Sequence, residues 1–227
     1  DKYYITGYPR NDYLLNQDGV KNLNILLNKK IEGKIILYMP TYRNDREEIG
    51  LDDNIFGIFE FNTETFYEFL ENNNITLLLK LHPNEERILI SKYKQYVGKR
   101  IILISNLDLE SKKMDLYKII NAVDLLITDY SSIYFDYLLL DRPIIFTPVD
   151  LEYYRDTRGL LLEPYEFWTP GPKCIKQQSL QDEIVRSLNN LEYYKPEREN
   201  IKNIMHKYKD TNSTDRAMSL IEEIMEG

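Results

Sequence analysis

The run Thr128-Asp129-Tyr130-Ser131-Ser132 places an acid and two hydroxyls where the apolar stretch Asp124–Thr128 gives way to a helical pattern, Ser132–Leu140. A helix that starts at a strand end presents backbone N–H groups with no intrahelical partner and a partial positive charge, so it can hold an anion such as a phosphate. Serine hydroxyls add donors. The same residues serve equally well as a helix cap, with Asp129 or Ser131 accepting from first-turn amides. His82 stands at a second junction of this kind, ending Leu77-Leu78-Leu79-Lys80-Leu81 before Pro83. An imidazole there could donate to a phosphate or move a proton near neutral pH, or be a satisfied structural histidine. His206, among Lys and Tyr near a helix end, reads as solvated surface.

Arg43 follows Pro40-Thr41-Tyr42 at a third junction, where a guanidinium fork can grip a phosphate at two oxygens. Arg10, in Gly7-Tyr8-Pro9-Arg10-Asn11-Asp12, is a further candidate anion contact in what reads as a turn before a helix. Asp136, one turn beyond the serines, could accept from a sugar or glycerol hydroxyl, or be a helix-surface charge. Arg158-Gly159 lies close to the last of these junctions. The charged stretch Asn44–Gly57 suits a flexible flap or an ordinary surface excursion.

These residues need a scaffold that delivers strand ends to one place. Six short apolar runs supply it: Lys34–Met39, Ile75–Leu81, Ile101–Ser105, Asp124–Thr128, Pro143–Thr147 and Gly159–Leu162. Most are apolar at consecutive positions, as strands buried on both faces are. Helical patterns separate them, at Gln17–Asn28, Thr63–Asn72, Glu85–Val97, Asp115–Ala122 and Ser132–Leu140. Strands alternating with helices predict an α/β fold, a Rossmann-like parallel sheet with helices on both faces. Ligands bind such sheets at the strands' carboxyl ends. Glu163 to Pro172 reads as a Pro- and Gly-containing loop, and helices at Ser179–Asn190, Pro196–Tyr208 and Ser213–Met225 form a C-terminal tail. We expect one nucleotide-donor-binding domain over residues 1–227, with a strand and helix core at about 30–165 and a helical segment at about 177–227.

Composition narrows the function classes. A formal net charge of −8 with scattered basic residues argues against a nucleic-acid surface, but not against a single nucleotide. Two histidines and one cysteine argue against a zinc site, and no other metal site or cofactor is expected. No apolar run approaches the roughly 20 residues that span a bilayer. No G-x-G-x-x-G or G-K-[ST] pattern is present, against NAD and ATP-hydrolysis readings. The chain opens without an initiator Met or signal peptide, and reads as a cytoplasmic piece of something longer.

Taken in order, Gly7-Tyr8-Pro9-Arg10-Asn11-Asp12, Tyr38-Met39-Pro40-Thr41-Tyr42-Arg43, Leu81-His82-Pro83, Ile127–Tyr137, Arg142–Phe146 and Arg158-Gly159 resemble the CDP-glycerol glycerophosphotransferase family, the teichoic acid polymerases and primases. The resemblance runs from Gly7 to about Asp215. It implies the carboxy-terminal half of a GT-B fold, which binds a CDP-activated polyol, CDP-glycerol or CDP-ribitol. It implies that Ser131, Ser132 and His82 contact the donor pyrophosphate, with Thr41 and Arg43 near, and that His82 is catalytic. Arg10, Thr128, Asp129, Asp136, Arg158 and Gly159 complete the implied donor site. Glycerol or ribitol phosphate would pass to a teichoic-acid-like or capsular polymer, releasing CMP. The family's His-Gly-Thr-Pro motif, whose histidine is the base for the acceptor hydroxyl, does not occur here. The resemblance therefore implies the donor-binding half alone, with the polymer or lipid-linked acceptor met through an amino-terminal domain. The full-length protein would sit peripherally on the inner face of the plasma membrane. Two other readings remain open: a GT-B glycosyltransferase domain using a nucleotide sugar, and a non-catalytic nucleotide-binding module.

Overall fold

The computed structural model describes residues 3–43, 50 and 54–226. Its frame is a five-stranded, all-parallel sheet of β1 (Lys34–Tyr38), β2 (Ile75–Leu79), β3 (Ile101–Leu103), β4 (Leu125–Thr128) and β5 (Ile144–Phe146), in the order β3-β2-β1-β4-β5. Alternation along each strand divides the core in two. Ile35, Leu37, Leu78, Leu126 and Phe146 face one layer, which includes Leu14, Leu23, Tyr137 and Ile201. Ile36, Tyr38, Leu77, Leu79 and Ile127 face the other, with Phe66, Leu70, Leu180 and Ile184. A strand covered on both faces has no polar side, which is why these runs read as continuously apolar.

The first layer holds α1 (Pro9–Asn16), α2 (Gly19–Leu27), α5 (Asn106–Ser111), α6 (Ile133–Tyr137) and α10 (Lys195–Met205), while α3 (Thr63–Asn72), α4 (Pro83–Tyr93) and α9 (Gln177–Asn189) cover the second. Helices α7 (Leu151–Thr157), α8 (Tyr165–Trp168) and α11 (Ser213–Glu226) complete the α-helices among the described residues. The expected helical tail is α9 to α11.

The structure corrects several expectations. Gly159–Leu162 forms no strand, and Leu161 is fully exposed. The edge it would occupy is already taken: Phe146 receives a hydrogen bond from Cys174 N and donates one to Pro172 O. The expected loop from Glu163 to Pro172 contains α8, and the expected turn at Pro9 is α1. Two 3₁₀ turns, Leu116–Lys118 and Ile120–Ala122, replace the helix expected at Asp115–Ala122. The flap expected at Asn44–Gly57 lies mostly outside the described residues, but its end packs inward, with Ile55 and Phe56 buried. His206 is buried as well; its Nε2 lies 2.7 Å from Phe135 O, tying α10 to α6, so the surface reading fails.

Candidate functional site

The sheet reverses its direction of winding between β1 and β4, and their carboxyl ends lie side by side, with Tyr38 paired to Ile127. A crevice opens where neighbouring crossovers leave in opposite senses. The structure has a cleft of about 590 Å³ there, in the size range of small-molecule sites. The segments following β1, β2 and β4 supply Thr41, His82, Ser131 and Ser132, and Arg158 reaches it from the end of α7. Leu109, Met114 and Leu116 also line it, interspersed with Asn106, Glu110 and Asp115.

The serine loop is held from behind by Asp129, which is 2% exposed. Asp129 Oδ1 accepts from Thr41 N at 2.8 Å, from Thr41 Oγ1 at 2.7 Å, and from Tyr130 N and Ser131 N at 2.5 and 3.3 Å. Its Oδ2 accepts from Arg43 Nη1 at 2.6 Å. Burial alone would raise the Asp129 carboxyl, but the Arg43 charge and the Thr41 bonds outweigh it and hold the group below the ordinary carboxylate value. Two amides of the loop, those of Tyr130 and Ser131, are thus turned into the protein and away from any phosphate. The hydroxyls of Ser131 and Ser132 have no partner among the described residues, and both line the cleft. The helix behind them is short: α6 has five residues, continued by a 3₁₀ turn at Leu138–Leu140.

Arg43 is corrected from anion gripper to anchor. Its side chain is 2% exposed, and its Nε and Nη2 clasp Asp150 at 2.7 and 2.9 Å while Nη1 also donates to Thr41 O. Burial disfavours the charged guanidinium, yet the two carboxylates more than compensate, so its pKa lies above the ordinary arginine value. Thr128 is fully buried and donates to Met39 O at 2.8 Å, pinning β4 to β1 instead of reaching the cleft.

Asp136 is also corrected; Arg10 is one of its partners, through Nε and Nη2, with the Arg10 side chain still 48% exposed. Asp136, 2% exposed, accepts from Arg10 Nε at 3.0 Å, Asn11 Nδ2 at 3.1 Å and the Tyr117 hydroxyl at 2.6 Å, which leaves no place for a ligand hydroxyl. The next residue of α1, Asp12, accepts from Ser213 N, Thr214 N and Thr214 Oγ1, so it caps α11. Gly7 makes this closure possible: its φ is +82°, and a Cβ there would lie 2.4 Å from Ser213 Oγ.

His82 is exposed at the cleft. Its Nδ1 accepts from Asn84 N at 3.2 Å, so the neutral ring carries its proton on Nε2. That makes it a hydrogen-bond donor to whatever occupies the cleft. Its ring stands 5.3 Å from that of Tyr42. Arg158 donates to Tyr42 O at 3.1 Å, and Gly159 follows it with φ +77°, a backbone position that suits glycine. Gly159 faces a smaller neighbouring cavity of about 160 Å³, walled by Tyr134, Phe135 and Tyr165, that shares Tyr130 and Ser132 with the main cleft.

Sequence reasoning missed two groups. Lys80, buried at the end of β2, donates to Leu81 O and pairs with Glu86, whose other oxygen accepts from Asn106 N; the signal was a lysine inside an apolar run. Asp150, beyond β5, is the second, an acid past a strand end that clasps Arg43.

The profile of the family described as CDP-glycerol:poly(glycerophosphate) glycerophosphotransferase matches residues 1–223. Among curated proteins, a teichoic acid poly(glycerol phosphate) polymerase of Bacillus spizizenii is 31% identical, over 97% of this chain and 52% of its own length. The teichoic acid ribitol-phosphate polymerase TarL of Staphylococcus aureus is 32% identical over 83% of this chain and 31% of its own. Among solved structures, the wall teichoic acid polymerase TagF superposes with a TM-score of 0.72 at 26% identity, covering 97% of this chain and 51% of that one. The chain thus spans about half the length of the first of these relatives or less. The likeness extends in fold alone to a UDP-N-acetylglucosamine 2-epimerase of Listeria monocytogenes, with a TM-score of 0.51 at 18% identity.

Proposed function

This chain belongs to the CDP-glycerol:poly(glycerophosphate) glycerophosphotransferase family, and we propose that it is the part of such a transferase that holds the CDP-activated polyol. The observation that carries this reading is the convergence of two uncommitted serine hydroxyls and the Nε2–H of His82 on one cleft at the sheet's switch point. All three are donors, and a pyrophosphate offers only acceptors. The apolar side chains of Met114 and Leu116 in the cleft wall suit a nucleoside base, and the carboxylates of Glu110 and Asp115 beside them suit its hydroxyls.

In the proposed reaction an acceptor hydroxyl attacks the phosphorus that carries the polyol. A new P–O bond forms, the P–O bond to CMP breaks, and CMP leaves with the electron pair. Such transfers depend on positioning and on neutralising charge in the transition state. His82 and the serines would stabilise charge growing on the departing CMP phosphate. The acceptor's proton needs a base, which the family resemblance assigns to a His-Gly-Thr-Pro histidine in an amino-terminal domain. The whole enzyme would act on a polymer or lipid-linked acceptor, peripherally at the inner face of the plasma membrane. No described helix is long and apolar enough to cross a membrane.

Calorimetry with CDP-glycerol, CDP-ribitol and CMP tests the donor reading. Binding of either CDP-polyol more tightly than CMP is the expected result. No heat with any of the three on folded protein would overturn it, and preference for a UDP-sugar would redirect it to a sugar transferase.

A further inference from the structure

The geometry points to Asp150 as a positioning residue for the serine loop, acting through Arg43 and Tyr130; as a statement about donor binding it rests on the reading above. Asp150 lies just beyond β5 with a side chain 5% exposed, outside every motif considered so far and not among the residues lining the cleft. Its carboxylate takes three donors. Arg43 Nε and Nη2 bind it side by side, at 2.7 and 2.9 Å, and the Tyr130 hydroxyl donates to Oδ1 at 3.0 Å.

From Asp150 a chain of buried contacts leads to the serines. Arg43, fixed by Asp150, presents Nη1 to Asp129. Asp129, fixed by Arg43 and Thr41, draws the amides of Tyr130 and Ser131 inward. With those amides turned in, the following hydroxyls border the cleft. Tyr130 closes the circuit, since its ring stacks on Tyr154 at 4.2 Å, lies 5.3 Å from the Arg43 guanidinium and ends in the bond to Asp150. Strand ends β1, β4 and β5 are thereby locked in one register at the point where a donor phosphate would be read. A bidentate carboxylate–guanidinium pair fixes angle as well as distance, which a single contact does not.

Charge separates this role from a simple electrostatic one. Asp129 and Asp150 carry two negative charges against the one positive charge of Arg43. If Asp150 acted only through its charge, neutralising it would tighten binding of an anionic donor. If it positions the serines, neutralising it loosens the loop and weakens binding.

The test compares the full chain with Asp150→Asn and the milder Tyr130→Phe, which removes only one hydroxyl. Amide hydrogen exchange of residues 129–132 reads the loop directly, with β1 and β4 as internal controls. Calorimetry with CDP and with cytidine reads the consequence. Asp150→Asn should speed exchange in the loop while the strands stay protected, and weaken CDP about tenfold with cytidine unchanged. Tyr130→Phe should shift both in the same direction by less. Unchanged loop exchange, or CDP binding that is equal or tighter, overturns the inference. If the unaltered chain binds no CDP compound, the donor reading fails, and the exchange measurement still decides whether Asp150 sets the loop.

Discussion

Arg43 Nη1 and Asp129 Oδ2 stand 2.6 Å apart with both side chains 2% exposed, joining the segment after β1 to the segment after β4. A buried pair of this kind is weak evidence of stabilisation while intact, but removing one partner strands the other without compensation. Arg43→Ala should therefore cost about 3–5 kcal/mol in urea-unfolding experiments. The exposed pair Lys176–Glu60 provides the contrast: Lys176→Ala should cost no more than about 1 kcal/mol. Equal effects from the two substitutions would show that the buried clasp carries no special strain on removal.

The same clasp sets an acid limit. Asp129 is held below its ordinary pKa in the folded chain, so the unfolded state binds the extra proton first as pH drops. The stability it contributes is fully present above about pH 4, the unfolded carboxylate value, and is lost as pH falls toward the lower folded value. Asp12 is also depressed, burial being outweighed by its bonds from Thr214 and Ser213, and adds a term of the same sign. Unfolding free energy measured from pH 6 to pH 2.5 should fall less steeply in Asp129→Asn, from a lower starting value. An unchanged slope would remove Asp129 from the acid response.

Ser131→Ala with Ser132→Ala should leave folding intact, since neither hydroxyl serves a described residue. Donor affinity should drop by about 1.5–3 kcal/mol per lost donor to a charged group, and by less where water substitutes. Calorimetry with CDP-glycerol checks this, and undiminished affinity would mean the hydroxyls do not face the donor.

His82→Ala should weaken donor binding or slow turnover with no more than a small shift in melting temperature, because the ring is exposed and its one hydrogen bond among the described residues is from Asn84 N. His82→Gln retains a side-chain N–H donor and should recover part of the binding. A cooperative loss of structure in His82→Ala would identify the histidine as structural instead.

At the closure between α1 and α11, Gly7→Ala would push a Cβ toward Ser213 Oγ at a positive φ, costing about 1–3 kcal/mol. Asp12→Ala removes the acceptor for two orphan amides of α11 and should cost about 0.5–2 kcal/mol. Hydrogen exchange across residues 213–226 should report both, ahead of any change in the sheet.

The sheet was legible because burial on both faces leaves a mark at every position: all five strands fall within five of the six apolar runs. The sixth misled because composition cannot say that residues 172–174 already cover the edge of β5. At the site, polar residues at strand ends were easy to find, but whether each charge faces the cleft or another charge depends on partners far along the chain. Arg43 meets Asp150 across 107 positions and Arg10 meets Asp136 across 126, spacings with no local signature. Ser131, Ser132 and His82 border the cleft without such distant partners, so their placement there follows from the strand ends alone.

Three consecutive residues of α1 reach very different parts of the chain: Arg10 and Asn11 bind Asp136, and Asp12 binds Ser213, 201 positions away. Closing a loop of that length carries an entropic cost that must be met before the contact returns anything. During synthesis, Asp12 lacks these partners until residues 213–214 have left the ribosome. The sheet and the serine loop can assemble earlier, but the seating of α1 against both α6 and α11 has to wait until α11 has emerged. Within these residues the order of completion therefore runs from the sheet outward, with α1 among the last pieces fixed.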